Sequence, residues 1–182
     1  MQWIVRRAAE TDVAELGRVN VAAWRHTYRG IAPDQFLDEM DESRRRQSWS
    51  RWVCLPPPDS VFVATNGVDH RVAAYCAVGA VREPQEDAHP VLPTGELMSI
   101  YADPEVWGRG AGHVVHDAAL AALAGFGFRH AVLWVFEDNA RARGFYERHG
   151  WRYDGVGKEL EIAGRRPVEV RYSTALPSRR AP

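Results

Sequence analysis

With 182 residues and 20.5 kDa, the chain has room for one domain and little more, and two large domains are excluded. Its 23 basic residues stand against 24 acids, a formal net charge of -1, so the excess of cations that a general nucleic-acid binder needs is missing. Hydrophobic residues make up 46% and charged ones 26%, a balance that fits a packed core rather than disorder.

Lys158 is the only lysine, so the basic side is otherwise arginine. Cys54 and Cys76 are the only cysteines and form no CxxC, which removes a disulfide scaffold and a zinc ribbon and suits a reducing compartment. Charges at Arg6, Arg7, Glu10, Asp12, Glu15 and Arg18 interrupt the first thirty residues, leaving no signal peptide or membrane span there. The expectation is a soluble cytoplasmic protein with no membrane partner.

In chain order, QWIVR reads as a short strand. TDVAEL places Asp12 three residues before Glu15, the spacing of a capped helix start. A helix follows from about Asp12 to Trp24, its apolar stripe carried by Val13, Leu16, Val19 and Ala23. After Gly30, Pro33 can open a further helix, and DQFLDEM with ESRRRQSWSRWV reads as one or two short helices ended by Pro56, Pro57 and Pro58. SVFVAT and RVAAYCAVGAV are two strands about the NGVD turn, and REPQEDAHPVLPTG is a polar loop. Then come a strand GELMSIYA, a turn DPEVWGRGAG, a helix HVVHDAALAALAGFG, a strand AVLWVF and a helix from Asn139 to Gly150. WRYDGVGKELEI and PVEVRYSTAL alternate about AGRR as an antiparallel pair. Without repeats or composition boundaries, residues 1–176 are expected to form one domain, and 177–182 a frayed tail. The fold class is mixed α/β, a mostly antiparallel sheet flanked by helices.

The turn at 103–112 carries the functional argument. Gly108, Gly110 and Gly112 remove side chains where a strand hands over to a helix, so backbone N–H groups can meet an anion at the positive end of the helix. That pattern fits a phosphate or pyrophosphate, and equally a tight turn with no ligand. It is not a Walker loop, because His113 and Val114 follow Gly112 where GK[ST] would be required. Val115 occupies the place of the third glycine of a dinucleotide fingerprint, which disfavours an oxidoreductase module.

The blocks ELMSIYADPEVWGRGAGHVV and LWVFEDNARARGFYERHGW resemble the Gcn5-related N-acetyltransferase (GNAT) superfamily. WGRGAG, from Trp107 to Gly112, matches the family's [QR]xxGx[GA] except that Trp107 stands in the Gln/Arg place. NARARGFYERHGW matches NxxAxxFYxxxGF at Asn139, Ala142, Phe145, Tyr146 and Gly150, with Trp151 for the usual Phe. The resemblance covers roughly residues 96–153. It implies acetyl-CoA as acyl donor, with no metal, and a central sheet of the GNAT type. By the same resemblance, Ile100, Tyr101 and Ala102 would align the thioester and pantetheine, and the segment Arg109, Gly110, Ala111, Gly112, His113 and Val114 would take the pyrophosphate. Asn139 would bind pantetheine or cap its helix, and the Tyr146 hydroxyl would protonate the leaving thiolate.

For the base, Glu96 lies near the start of the cofactor strand, where simple alternation puts it on one face with Met98 and Ile100; a surface carboxylate or an arginine's partner is the competing reading. Trp24 and Tyr28 fall in the segment that forms the acceptor wall in the resembling fold. His113 and His116 lie three apart on a helix without an evident third metal ligand, and Asp117 is read as pointing elsewhere. The expected function is acetyl transfer to the primary amine of a small molecule. Alternatives are a non-catalytic acyl-CoA sensor or an enzyme acting on a peptide or protein N-terminus. Residues 54–103 hold seven acids (Asp59, Asp69, Glu83, Glu86, Asp87, Glu96, Asp103) against Arg71 and Arg82, which points to a cationic amine, with Arg109, Arg141 and Arg143 left for the CoA phosphates. The C-terminal strands offer an edge for a homodimer.

Overall fold

The computed structural model describes residues 2–67, 71–83 and 87–177. The elements are β1 (Trp3–Arg7), a 3-10 turn (Glu10–Asp12), α1 (Val13–Thr27), α2 (Asp34–Asp38), α3 (Glu42–Val53), β2 (Ser60–Asn66), β3 (Val72–Ala80) and β4 (Thr94–Ala102). A second 3-10 turn (Pro104–Val106) leads to α4 (Ala111–Gly125), β5 (His130–Phe136), α5 (Ala140–Arg148), β6 (Arg152–Glu159) and β7 (Val168–Ala175). The seven strands form one sheet in the order β1-β2-β3-β4-β5-β7-β6. Among adjacent strands of the described residues only β4 and β5 are parallel, and their connection crosses over through α4, while β5 reaches β6 through α5, passing over β7. Of the expected tail, residues 178–182 lie outside the described residues, as do Asp69 in the NGVD turn and Glu86 in the polar loop.

Two apolar layers clothe the sheet. On one face Val115, Ala119 and Leu123 of α4 pack on Ala74, Cys76, Val78, Leu97 and Leu133, together with Tyr146, Trp151 and Tyr172. On the other, Leu16 and Val19 of α1 and Trp49 of α3 cover Val61, Val63, Tyr75 and Ala77. The hairpin between β6 and β7 closes through Ala163 and Gly164, both at positive φ (47° and 86°), the geometry of the tightest hairpin turns.

Two local expectations are corrected. Asp12 does not cap α1. Its carboxylate accepts from the Ala9 N–H at 2.8 Å and from both terminal nitrogens of Arg6 at 2.6 and 2.7 Å, while Glu15 turns to Arg18. The 3-10 turn before the helix therefore takes the carboxylate first. The second correction concerns β4, where Ala77 pairs with Ser99 but Val78 pairs with Leu97, leaving Met98 as an extra residue. A bulge of one residue shifts the phase of alternation. Leu97 and Ile100 consequently share the α4 face, whereas Glu96 lies on the Tyr101 face, opposite Ile100.

At Gly95, where β4 meets β5 and α4, an added Cβ would lie 2.7 Å from Leu123 Cδ2 and 3.1 Å from Phe128 Cδ2. Gly95→Ala should lower the unfolding free energy by about 1–3 kcal/mol through overpacking. Urea denaturation checks this, and an unchanged midpoint would contradict the tight packing of α4 on β4.

Candidate active site

The ladder between β4 and β5 holds for only three pairs, Thr94 with His130, Gly95 with Ala131 and Glu96 with Val132. β4 then continues to Ala102, held on its far side by β3, and β5 continues to Phe136, held by β7. The two strands part, leaving a cleft of about 730 Å³ between the sheet and the facing ends of α1, α4 and α5. Backbone groups on an unpaired strand edge need partners, and an extended amide-bearing chain laid beside Ile100, Tyr101 and Ala102 would supply them. All three line this cleft.

At one end lies the glycine turn. Gly108 and Gly110 take φ of 75° and 87°, which L side chains disfavour, and Gly110 is the residue on which α4 starts. The Trp3 indole nitrogen donates to the Arg109 carbonyl at 2.7 Å, tying the turn to β1. The Arg109 N–H donates to the Val106 carbonyl and the Val114 N–H to the Gly110 carbonyl. The amides left for an anion are accordingly those of the first turn, Ala111, Gly112 and His113 behind Gly110, and these four residues line the cleft whereas Arg109 and Val114 do not.

Trp107, in the family's Gln/Arg place, donates its indole N–H to the Ala102 carbonyl at 2.9 Å and carries the Arg141 guanidinium 3.8 Å above its ring. A cation thus reaches the turn from α5. Arg143, expected beside it, is occupied with the Tyr172 hydroxyl and the Glu137 carbonyl. Arg148, which sequence reasoning passed over, lines the cleft.

Tyr146 projects from α5, is buried against the α4-side core and lines the cleft. Burial drives its pKa far above the ordinary phenol value, with the neighbouring Cys76 and Tyr101 adding to the effect, so the hydroxyl keeps its proton. Asn139 caps α5 by accepting the Ala142 N–H at 3.1 Å, and it too borders the cleft.

Across the sheet are the aromatics. Trp24 meets Tyr28 edge to face at 4.7 Å, and the Tyr28 and Tyr101 hydroxyls share a hydrogen bond of 2.8 Å. Burial pushes the Tyr101 pKa up to about 12. Both Trp24 and Tyr28 border the cleft. Glu96 is buried, and its Oε2 accepts the Arg82 N–H at 3.0 Å, but it is not among the cleft-lining residues. The carboxylate that does border the cleft is Glu169 on β7. Burial raises its pKa most, Glu96 and Glu83 add to the rise, and Lys158 opposes it. Alternation in PVEV puts Glu169 on the face of Arg171. Which face that is depends on β7 inserting between β5 and β6, a pairing the sequence does not announce.

Asp117 does not point away from His113. Its Oδ2 lies 3.3 Å from His113 Nε2 and its Oδ1 3.1 Å from His116 Nδ1, while His113 Nδ1 lies 2.6 Å from His149 Nε2. The set His113, Asp117 and His149 brings ligand atoms within 4.8 Å of one another, two ring nitrogens and one carboxylate oxygen, with His149 supplied from a place distant in sequence. His149 Nδ1 is engaged by the Phe145 carbonyl at 2.7 Å, and the Trp151 indole N–H donates to His116 Nε2 at 2.9 Å, so these rings are held from behind. Among the described residues, no helix is long and apolar enough to cross a membrane.

Comparison with known proteins agrees with this geometry. The family model described as acetyltransferase (GNAT) family matches residues 21–151. The chain is 30% identical over 168 residues to the uncharacterized N-acetyltransferase YuaI of Bacillus subtilis, covering 91% of this chain and 89% of that protein. It is 40% identical over 142 residues to a mycothiol acetyltransferase of Mycobacteroides abscessus, where it covers 77% of itself and only 42% of the longer relative. In fold it matches the PaiA N-acetyltransferase of Thermoplasma acidophilum, solved in complex with coenzyme A, at a TM-score of 0.75, with 14% identity and 96% and 99% of the two chains covered. A parted sheet, a glycine-built helix start and a family match over most of the sequence converge: the chain belongs to the acetyltransferase (GNAT) family.

Proposed function

We propose that this protein transfers the acetyl group of acetyl-CoA to the amine of a small molecule. The observation that carries this reading is the parting of β4 from β5, which runs from the free amides of α4 to a chamber holding Tyr146 and Glu169. The residues fit the donor. The strand edge at Ile100, Tyr101 and Ala102 suits the pantetheine amides, and Ala111, Gly112 and His113 suit the pyrophosphate, with Arg141 and Arg148 adding positive charge.

Acetyl-CoA supplies the thioester. The amine nitrogen forms a bond to the thioester carbonyl carbon, the carbon–sulfur bond breaks, the amine proton passes to a base and the departing sulfur receives a proton. Tyr146, kept protonated by burial on the α4 side, donates that last proton. Glu169, bordering the cleft with a raised pKa, accepts the amine's proton directly or through one water. Glu96 sits behind it, and its negative charge helps hold the Glu169 proton affinity up. Trp24, Tyr28 and Tyr101 form the wall against which the acceptor is oriented.

Two variants test the roles. Tyr146→Phe should cut acetyl transfer by about 100-fold or more while leaving acetyl-CoA binding near wild type; full turnover would remove Tyr146 from the chemistry. Glu169→Gln should cost about 100-fold or more and abolish the loss of kcat/KM that wild type shows as pH falls through a value above the ordinary Glu range.

The stability effect of Glu169→Gln runs the other way. Because the folded-state pKa is raised, the folded protein holds this proton to higher pH than the unfolded chain, so stability falls as pH rises from the unfolded to the folded pKa. Glu169→Gln should therefore melt at a higher temperature than wild type at pH 8 and lose that advantage at acid pH. A variant both inactive and less stable at pH 8 would assign Glu169 a structural part instead.

A further inference from the structure

Beside the cleft lies a second cavity of about 260 Å³ that shares Trp24, Met98, Ser99 and Tyr101 with it. Its walls carry two guanidinium groups. Arg45 stands over the Trp24 ring at 5.4 Å and Arg82 over the Trp52 ring at 5.1 Å, each on an indole rather than a carboxylate. A guanidinium stacked on an indole is fixed in orientation and keeps its in-plane N–H donors free for a planar or tetrahedral oxyanion. The charge of Arg45 acts on the Tyr75 and Tyr101 hydroxyls, so it bears on the interior rather than on bulk solvent.

The same cavity is bordered by Asn20, only 5% exposed. Its Nδ2 donates to the Tyr75 hydroxyl at 2.6 Å, and its Oδ1 is the one buried side-chain polar atom without a partner among the described residues. If the amide were turned over, Tyr75 would donate to the oxygen and the NH₂ would be left instead. Either way one polar half of a buried amide stays unmatched beside this space, which is where a ligand completes it.

The acids that the sequence places nearby are largely paired with other cations, although the Arg82 charge also acts on Glu96. Asp87 is engaged by Arg171, Asp103 by Arg18 and Glu83 by Lys158, while Glu96 receives the Arg82 backbone N–H. Read along the chain, residues 54–103 look like an acidic face for a cationic amine; among the described residues Glu83, Asp87 and Asp103 are ion-paired, and the charged side chains bordering the second cavity are Arg45 and Arg82.

We infer that this second cavity anchors the acceptor, and that the acceptor is an amine bearing an oxyanion, a carboxylate, phosphonate or sulfonate, held by Arg45 and Arg82 while its amine reaches past Ser99 and Tyr101 toward Glu169. The assignment rests on the proposed acetyl transfer. Asn20 then hydrogen-bonds a polar group near the oxyanion.

The test is a thiol-release assay over α-amino acids, aminophosphonates and taurine, run beside the carboxamides of the same amino acids and linear polyamines, with acetyl-CoA binding followed separately by thermal shift. The best acceptor bears an oxyanion and exceeds its own carboxamide by at least about tenfold in kcat/KM, chiefly through KM. Arg45→Met, which keeps most of the stem packing, lowers kcat/KM for that acceptor by about 10- to 100-fold and slows the carboxamide far less; Arg45→Lys restores part of the loss. Carboxamides or polyamines outrunning every oxyanion-bearing amine would overturn the assignment, as would equal slowing of that acceptor and its carboxamide in Arg45→Met. If acetyl-CoA binds but no oxyanion-bearing amine is acetylated, the oxyanion subsite is wrong. If acetyl-CoA itself fails to bind, the donor reading falls and the subsite with it.

Discussion

The rest of the structure depends on a sheet that separates where its two central strands should pair. β4 and β5 stay together for three residues and then part, because each is committed to its outer neighbour, β4 to β3 and β5 to β7. Inside a compact domain such a seam leaves backbone N–H and C=O groups without partners, and that is tolerable only if something extended fills it. The parting also sets where everything else goes. α4 starts at the end of β4, so its free amides open on the mouth of the seam, and α5 starts at the end of β5, so Asn139 and Tyr146 border it from the other side. A site built on a topological gap explains why the three pairs at its closed end are packed so tightly, with Gly95 under Leu123 and Phe128. Were that end loose, the width of the gap would not be fixed.

The bulge at Met98 adds a second constraint. By inserting one residue, it turns Ile100 toward α4 while Tyr101 faces α1, so in the proposed reading the strand offers its edge to the donor and its aromatic to the acceptor. It also carries Glu96 to the Tyr101 face but outside the cleft lining, where burial makes its ionised form costly, with Asp87 adding to the effect and Arg82 and Lys158 opposing it. Two buried carboxylates with raised pKa values, Glu96 adding to the rise at Glu169, form the kind of arrangement in which one holds a proton to higher pH than an ordinary Glu.

How much of this was legible depended on whether the signal was local. Every strand and helix announced itself through periodicity and punctuation, and the glycine turn and the Asn139 block were readable because their chemistry is backbone geometry at fixed spacing. What failed was phase and proximity. A one-residue bulge is invisible to alternation, so Glu96 was placed on the face of Ile100. The pairing of β7 with β5 rather than with β6 alone brought Glu169 to the cleft from 73 residues beyond Glu96 in number, with no motif around it. His149 joined His113 and Asp117 in the same way, across the contact between α4 and α5. Asp12 was misread for a smaller reason: two helical turns competed for one carboxylate, and Arg6, outside the spacing considered, settled which one received it.

Charge shows the same limit most clearly. A near-exclusive use of arginine fits what these cations do here, since a guanidinium can pair through two donors or lie flat on an indole while staying charged when half buried. Arg6 grips Asp12 with two nitrogens, Arg171 bridges Asp87 and Asp154, and Arg141, Arg45 and Arg82 lie over Trp107, Trp24 and Trp52. Seven acids in one segment are a fact of sequence, but a segment has no field of its own. Its potential depends on which of those carboxylates already have a partner, and the ones with known neighbours are largely engaged. Substitution of Trp107 in the Gln/Arg place follows the same rule, because the positive charge that position omits arrives from Arg141 on another helix. The cation that the proposed anion site calls for beside its glycine turn is supplied by the folded surface rather than by the residue in the motif.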